Sequence, residues 1–552
     1  MRAKRIVALF LASALAVTCF ASCGSTPKAE GKSESTPEGE KKTEALENVN
    51  LEGYPIVKNP IKVTMMGNKC GIHGDWNKME FFQIMEKKTG IGFEFDTPAS
   101  EVLEEKKNLA LNGGTYPEVM FATNLSKEQQ VEYGSQGILL PLEDYIDKYC
   151  PNILQMFEEK KGARASITAP DGHIYSMAQF YNSPLMSTAM WVNRKWLDKL
   201  NIDPENLPTT VDGYYDMLVR FRDEDPNGNG KKDEIPFTIF DDANKGDSIY
   251  VNMLPYFGVL SPEVYVDDQG KIHFGMMEEN TKVAFEWFNK LYSEKLINNN
   301  CFTQGSADAL AQGAEGLNGS GYHALPRFVF GNMPIEEEAL YPAMPALSSS
   351  VNPKQLTTRG TGVSQGTFSL TNKCSEETIV AMMRWLDYLY SEEGSWLIHY
   401  GPEGHIWKPS PNNPKLNVYI QPTDGRNTEE VRGGEITPDC GAACPKWVRD
   451  TTEGAWDDVQ QQARIAWSDK NLNPYSVVAL PEMFLTLEEQ SVVDMYMTDL
   501  TKYRQENSAK FVVGDQSFDQ WDSFVEGMKS MHVDDVIKAY QSAYDRWAAS
   551  QK

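Results

Sequence analysis

Residues 61–96 read IKVTMMGNKCGIHGDWNKMEFFQIMEKKTGIGFEFD. Ile61 to Met66 has the composition of a strand, Asn77 to Lys88 that of a helix stopped by Thr89-Gly90, and Gly92 to Asp96 that of a second strand. A further helix over Glu101 to Leu111, a Gly-Gly turn and a strand over Val119 to Ala122 continue the alternation. Strand, helix and strand in succession predict parallel α/β units. Farther along, helical segments prevail: Lys282–Lys295, Glu376–Ser391, Glu488–Tyr503, Phe518–Met531 and Val533–Ala549. A chain of 552 residues exceeds what one core accommodates, so at least two lobes with a helical C-terminal part are expected.

The N-terminus has its own logic. Arg2, Lys4 and Arg5 precede an apolar run from Ile6 to Phe20, and Ala21-Ser22 then stand directly before Cys23. This is the pattern of an exported chain's leader, too short and wrongly flanked for a mature membrane span. Small residues before a Cys resemble a bacterial lipobox, which predicts cleavage after residue 22 and lipidation (palmitate included) of Cys23. Residues 24 to about 50 are rich in Ser, Thr, Pro, Glu and Lys and carry too little apolar surface to fold; residues 23–53 are expected to be a polar stalk. Downstream, no run approaches the length of a spanning helix. The body is thus expected outside the cytoplasm, held to the membrane only by its lipid.

Formal charge is −26, and loss of residues 1–22 removes three bases and no acid, giving −29. Such acidity argues against nucleic acid as a partner, because phosphate binding needs basic patches. Six cysteines remain in the body: Cys70, Cys150, Cys301, Cys374, Cys440 and Cys444. A disulfide across Cys440-Gly-Ala-Ala-Cys444 is open from sequence; a zinc site is disfavoured because no C-x2-C pair accompanies it.

Several stretches in fixed order carry a family resemblance: NGGTYPEVMF at 112–121, YGSQGILLPLEDYIDKYCPNI at 133–153, DGHIYSMAQ at 171–179, VNRKWLDKLNI at 192–202, LYSEEGSWLIHYGPEGHIW at 389–407 and AYDRW at 543–547. Together they resemble the extracellular solute-binding lipoproteins of bacterial carbohydrate ABC importers, in particular the subgroup that includes alginate-oligosaccharide binders. The resemblance implies an α/β, two-lobed periplasmic-binding-protein fold (type II-like) that closes on an oligosaccharide. It implies a monomer that delivers the sugar to membrane permease subunits served by a separate ATPase. The expected division is 54–184 with about 363–408 in the N-lobe, and 185–362 with about 409–552 in the C-lobe. Crossings are expected near Met177–Ser187 and Arg359–Thr367, where Gly360, Gly362 and Gly366 ease backbone adjustment.

Residues 225–236, DPNGNGKKDEIP, place Asp225, Asn227 and Asn229 at positions one, three and five of an EF-hand-like loop. Gly230 supplies the turn, Lys231 a backbone carbonyl and Asp233 position nine, whereas position twelve is Pro236. By the resemblance, Glu234 substitutes for the missing ligand and the ion is a structural Ca2+. The competing reading is a plain Asn-Gly turn. Gly362-Val-Ser364-Gln-Gly366 fits G-x-S-x-G, but polar residues precede it and a strand-like run follows, so a hydrolase elbow is not expected. A sensor or adhesin on the same scaffold, or a secreted hydrolase, stands as the alternative to transport.

Sugar clefts use aromatic faces with polar groups that fix hydroxyls. Trp76, at the carboxyl end of the first strand, Tyr181 after the first crossing, Arg327 in ALPRF and Trp407 closing GPEGHIW are the expected ligand contacts; Trp191, Trp287 and Trp385 are expected to pack inside.

Overall fold

The computed structural model describes residues 46–182, 188–240 and 250–551; Cys23, the leader and the stalk as far as Ala45 lie outside the described residues. In chain order the strands are β1 (Ile61–Gly67), β2 (Ile91–Asp96), β3 (Val119–Phe121), β4 (Met177–Tyr181), β5 (Ala189–Val192), β6 (Val264–Val266) and β7 (Ile272–Phe274). They continue as β8 (Ser320–His323), β9 (Thr357–Arg359), β10 (Val363–Leu370), β11 (Trp407–Pro409), β12 (Asn417–Tyr419), β13 (Lys446–Val448) and β14 (Ser476–Val478).

A six-stranded sheet in the order β13-β4-β10-β3-β1-β2 organises the first lobe. β1 pairs in parallel with β2 and β3, as the strand–helix–strand alternation requires, and β10 enters antiparallel between β3 and β4. The helix Glu80–Thr89 packs Phe81, Phe82 and Met85 inward and stops at Gly90, whose φ of 80° suits the left-handed cap. Helix Glu376–Tyr390, buried along almost all its length, covers the sheet together with Pro151–Glu159. A second, separate core gathers Trp196, Tyr214, Phe221, Phe257, Phe285, Phe511 and Trp521 around the antiparallel pair β5–β8 and the helices Glu279–Ser293, Leu487–Val513 and Val533–Ser550.

Three expectations are corrected. The body begins before residue 54: Val49 is 4% exposed, bridges Val57 and fills the first core. The first lobe does not end near residue 408, because β13 pairs with β4 and Ala442, Cys444 and Trp447 pack in the first core. The chain therefore crosses a third time, between Trp456, which stacks on Tyr419, and Trp467, which packs beside Trp191 and Tyr341. Third, the Asn-Gly turn reading places a strand over Phe237–Phe240 after the loop, but this stretch makes only isolated bridges, Phe237 to Ile297 and Thr238 to Gly321. The G-x-S-x-G stretch runs into and along β10, interrupted by a bulge between Ser364 and Phe368, so it forms no strand-to-helix elbow. All six body cysteines are free thiols, Cys440 and Cys444 buried.

Candidate ligand cleft and calcium loop

Two adjoining cavities lie where the chain passes between the cores. One, of about 240 Å³, is lined by Phe237, Thr238, Phe240, Asn252, Tyr322 and His323 among others. The other, of about 310 Å³, is lined by Ser261, Pro262, Thr357, Thr358, Arg359 and Gly360. Thr188, Val251, Asn252 and Tyr322 belong to both, so the two form one recess. Its floor is the carboxyl end of β8, and its flank is β9, which pairs with β14 at the second crossing.

The sequence builds an aromatic tier here. β8 ends on Tyr322-His323, and the turn that follows returns Phe328 onto the imidazole, with ring centres 4.4 Å apart. Phe240 stacks nearby at 5.9 Å, and Phe328 stays 42% exposed. The Tyr322 hydroxyl meets that of Tyr256 at 2.6 Å, and burial pushes the Tyr256 phenol up to about 12, so both remain neutral donors and acceptors. Arg359 is exposed and, among the described residues, makes no ion pair. Lys160 donates to the Tyr181 carbonyl at 2.7 Å; burial, and then the neighbouring Arg359 guanidinium, lower its pKa. Outside the linings of both cavities, in the first lobe, the Arg449 guanidinium lies 3.6 Å from the Trp447 ring centre, and Trp447 Nε1 donates to Asn182 Oδ1. The recess thus combines flat apolar faces, hydroxyls, the Asn252 amide and the Arg359 guanidinium.

The four residues expected to meet ligand are not brought together. Trp76 is 1% exposed, lying against Phe82, Phe95 and Phe121 beneath the sheet, and is corrected to a core residue. The physical cause is local: Asp75 caps the short turn Trp76–Lys78 through Asn77 N, which points the indole inward onto Gly67. Tyr181 ends β4 at the first crossing, half-buried, its N–H donating to Gly362. Arg327 is held by the buried Glu338, Nη2 to Oε2 at 2.8 Å and Nε to Oε1 at 3.1 Å. It thereby fixes the turn that carries Phe328. Trp407 lines a different groove, formed entirely by residues of the first lobe. Sequence reasoning does not single out Tyr322, His323, Phe328, Asn252 or Arg359 as ligand contacts; the signal for three of them is YHALPRF, an aromatic cluster at the end of a Gly-rich strand, which also holds Arg327.

The loop at 225–234 is built as a cradle. Asp225 accepts from the N–H groups of Asn229 and Gly230, at 3.1 Å each, while Asn229 Oδ1 accepts from Lys231 N at 2.8 Å. Gly230 has φ +74°, which a Cβ would strain. The amides of Asn227 and Asn229 both donate to Asp233, the Asn229 contact chiefly lowering its pKa. Glu234 Oε1 is buried without a hydrogen-bond partner; burial, then Asp233 and Asp225, raise its pKa. Among the described residues no three His, Cys, Asp or Glu side chains close on one point, so a cation here would draw on amide and carbonyl oxygens as well. That donor chemistry, with an orphaned carboxylate oxygen, fits a hard cation.

Comparison with known proteins agrees with the fold. The chain is 24% identical over 536 residues to the fructooligosaccharide ABC transporter substrate-binding protein FusA of Streptococcus pneumoniae, covering 93% of this chain and 96% of that one. A structure of the FusA EF-hand mutant in complex with fructo-nystose superposes with a TM-score of 0.70 at 22% identity, covering 89% of this chain and 100% of that one. An HMO-binding, ABC-transporter-associated solute-binding protein from Bifidobacterium longum infantis gives 0.75 at 20%, covering 89% and 99%. Alginate-binding protein AlgQ2, solved without calcium ion, gives 0.64 at 20%, covering 90% and 100%. These likenesses identify the two-lobed periplasmic-binding-protein fold. With residues 77–395 matching the family itself, the chain belongs to the bacterial extracellular solute-binding proteins.

Proposed function

We propose that this protein captures an oligosaccharide in the recess at the crossings and presents it, lobes closed, to the permease subunits of an ABC importer driven by a separate ATPase. The observation that carries the reading is the Phe240–His323–Phe328 tier beside the hydroxyls of Tyr322 and Thr188 and the Arg359 guanidinium. Sugar rings present apolar C–H faces and equatorial hydroxyls, which call for this pairing of surfaces. Ligand that touches both lobes stabilises the closed arrangement by its differential affinity for it. A thermal-shift screen against oligosaccharides is expected to yield at least one that raises the melting temperature, since ligand binds only the folded state. For that sugar, Phe328→Ala is expected to weaken binding by about 1.4 kcal/mol, roughly tenfold in Kd, by calorimetry. Unchanged affinity in the folded variant refutes the recess as the site.

The loop at 225–234 is proposed to hold a structural Ca2+ through Asp225, Asn227, Asn229, Asp233, Glu234 and the Lys231 carbonyl. Support comes from its geometry and from relatives described with an EF-hand or by reference to calcium. Chelation is expected to lower the melting temperature, with Asp225→Ala abolishing most of that response and sugar affinity changing far less. A metal-free purified protein indifferent to chelator leaves only the turn.

The protein is proposed to be anchored outside the cytoplasm by lipid on Cys23. No helix among the described residues is long and apolar enough to cross a membrane. Cys23→Ala is expected to shift the protein from the membrane pellet to the soluble fraction; equal retention of the variant rules out the anchor.

A further inference from the structure

A cavity larger than either half of the recess has no part in it. It is a groove of about 740 Å³ in the first lobe, between the helices Glu80–Thr89 and Glu392–Tyr400 and the ribbon β11–β12. Trp396 and Trp407 stand in it edge to face, with ring centres 5.1 Å apart and both half-buried. Each is fixed from behind. Trp407 Nε1 donates to the Gly401 carbonyl at 3.0 Å, and Trp396 stacks on Trp456, itself 1% exposed and covered by Tyr419 at 4.0 Å. Gly401 has φ +73°, and a Cβ there would strike Ile436 at 2.2 Å, so the turn that positions Trp407 is specified by backbone. Rings held in this way lose little freedom when something stacks on them.

The polar rim narrows the occupant. Glu392, Glu403, Lys415 and Thr451 are exposed at its edge, and Asn417 is half-buried. Lys88 and Glu393 line the groove as well, paired with each other at 3.1 Å, with the ammonium over the rings of Tyr54 and Tyr388. Among the described residues Glu392 and Glu403 form no ion pair, and with Lys415 on the rim the lining has three carboxylates to two ammonium groups, while Arg449 acts on Glu392 from outside it. A carboxylate accepts from the neighbouring hydroxyls of a sugar and repels a uronate or sulfate. Thr451 and Thr452 follow β13 by three and four residues, so the groove continues from the carboxyl edge of the sheet that bears Arg449 and the first-lobe side of the crossings.

We infer that this groove is a second carbohydrate-contact site, for a neutral glycan chain, separate from the recess at the crossings. The carbohydrate class rests on the function proposed above; the location, the neutrality and the independence from lobe closure do not. Such a site holds a long glycan on the outer face while the cleft takes a shorter portion.

The test uses the full chain, with neutral gluco-, fructo-, xylo- and manno-oligosaccharides and the corresponding polysaccharides immobilised in native gels, and polygalacturonate as the charged control. Two groove variants are compared with Phe328→Ala: Trp407→Ala, and Thr451→Trp, which fills the groove from an exposed position. Both groove variants are expected to leave trisaccharide affinity unchanged and to weaken retention by a neutral polysaccharide about tenfold. Phe328→Ala is expected to do the reverse for the trisaccharide. Should folded Thr451→Trp be retained as strongly as the natural chain, or should no neutral polysaccharide retain the natural chain, the inference is overturned. Groove-dependent retention by polygalacturonate alone overturns its neutrality. If groove variants lose polysaccharide while Phe328→Ala changes nothing, the groove stands and the recess assignment falls.

Discussion

Lys446→Met is expected to cost about 3–5 kcal/mol of stability, because it strands a buried carboxylate. Asp439 and Lys446 are 3% and 1% exposed at the side chain, and the ammonium contacts both Asp439 oxygens, at 2.5 and 2.6 Å. His399 Nδ1 lies 2.5 Å from Oδ2, and the Cys444 N–H donates to Oδ1 at 3.3 Å. Burial alone would raise the Asp439 pKa. The Lys446 charge, then the His399 hydrogen bond, outweigh it and bring the carboxyl down to about 2. A depressed folded-state value means the contribution is complete above the unfolded value of about 3.9 and disappears as pH falls toward 2. His399 acts in the same direction at milder pH. Its pKa is lowered by burial first, then by Lys446, so its protonation in the unfolded chain below about 6.5 favours unfolding. Urea unfolding followed by tryptophan fluorescence measures the loss, and the double variant Asp439→Asn/Lys446→Met is expected to recover most of it, since no unpaired charge remains. A single variant as stable as the natural protein would show that the pair is hydrated.

Trp76→Ala is expected to cost a further about 3–5 kcal/mol on its own, by the opposite route, a cavity in place of a charge. Its indole touches Phe82, Phe95 and Phe121 and closes on Gly67. Trp76→Phe keeps most of the volume and is expected to cost far less. In the fraction that folds, oligosaccharide affinity is expected to match that of the natural protein, because no atom of Trp76 lines the recess. Weakened binding at unchanged stability would return Trp76 to the ligand.

The contrast between these positions marks what sequence can carry. Local patterns were readable: the helix Glu376–Tyr390, the stop at Gly90 and the loop of oxygen-bearing side chains at 225–234 all depend on neighbours within a few residues. Trp76 was placed at the right end of the right strand, yet the direction of its ring depends on a capping carboxylate one residue earlier and on a glycine nine residues back. β13 is three residues, Lys446–Val448, in a stretch of Cys, Pro and Gly, and its partner Gln179 lies 267 positions away. Nothing local announces it, so a reading of sequence alone ends the first lobe too early. The recess is hidden for the same reason, as it draws Asn252, Tyr322 and Arg359 from separate segments.

The antiparallel strand β10 stands between β3 and β4, with β13 beyond β4. Until residue 363 is available the sheet has a gap at its centre, and until residue 448 it lacks an edge. Long-range closure of this kind is slow, because loop entropy is lost before the contacts form. Such a delay separates the first sheet from the helices Leu487–Val513 and Val533–Ser550 of the second core, which lie close together along the chain. The first 362 residues, about two-thirds of the polypeptide, cannot complete the first sheet, so a part of the chain made late closes the part made first.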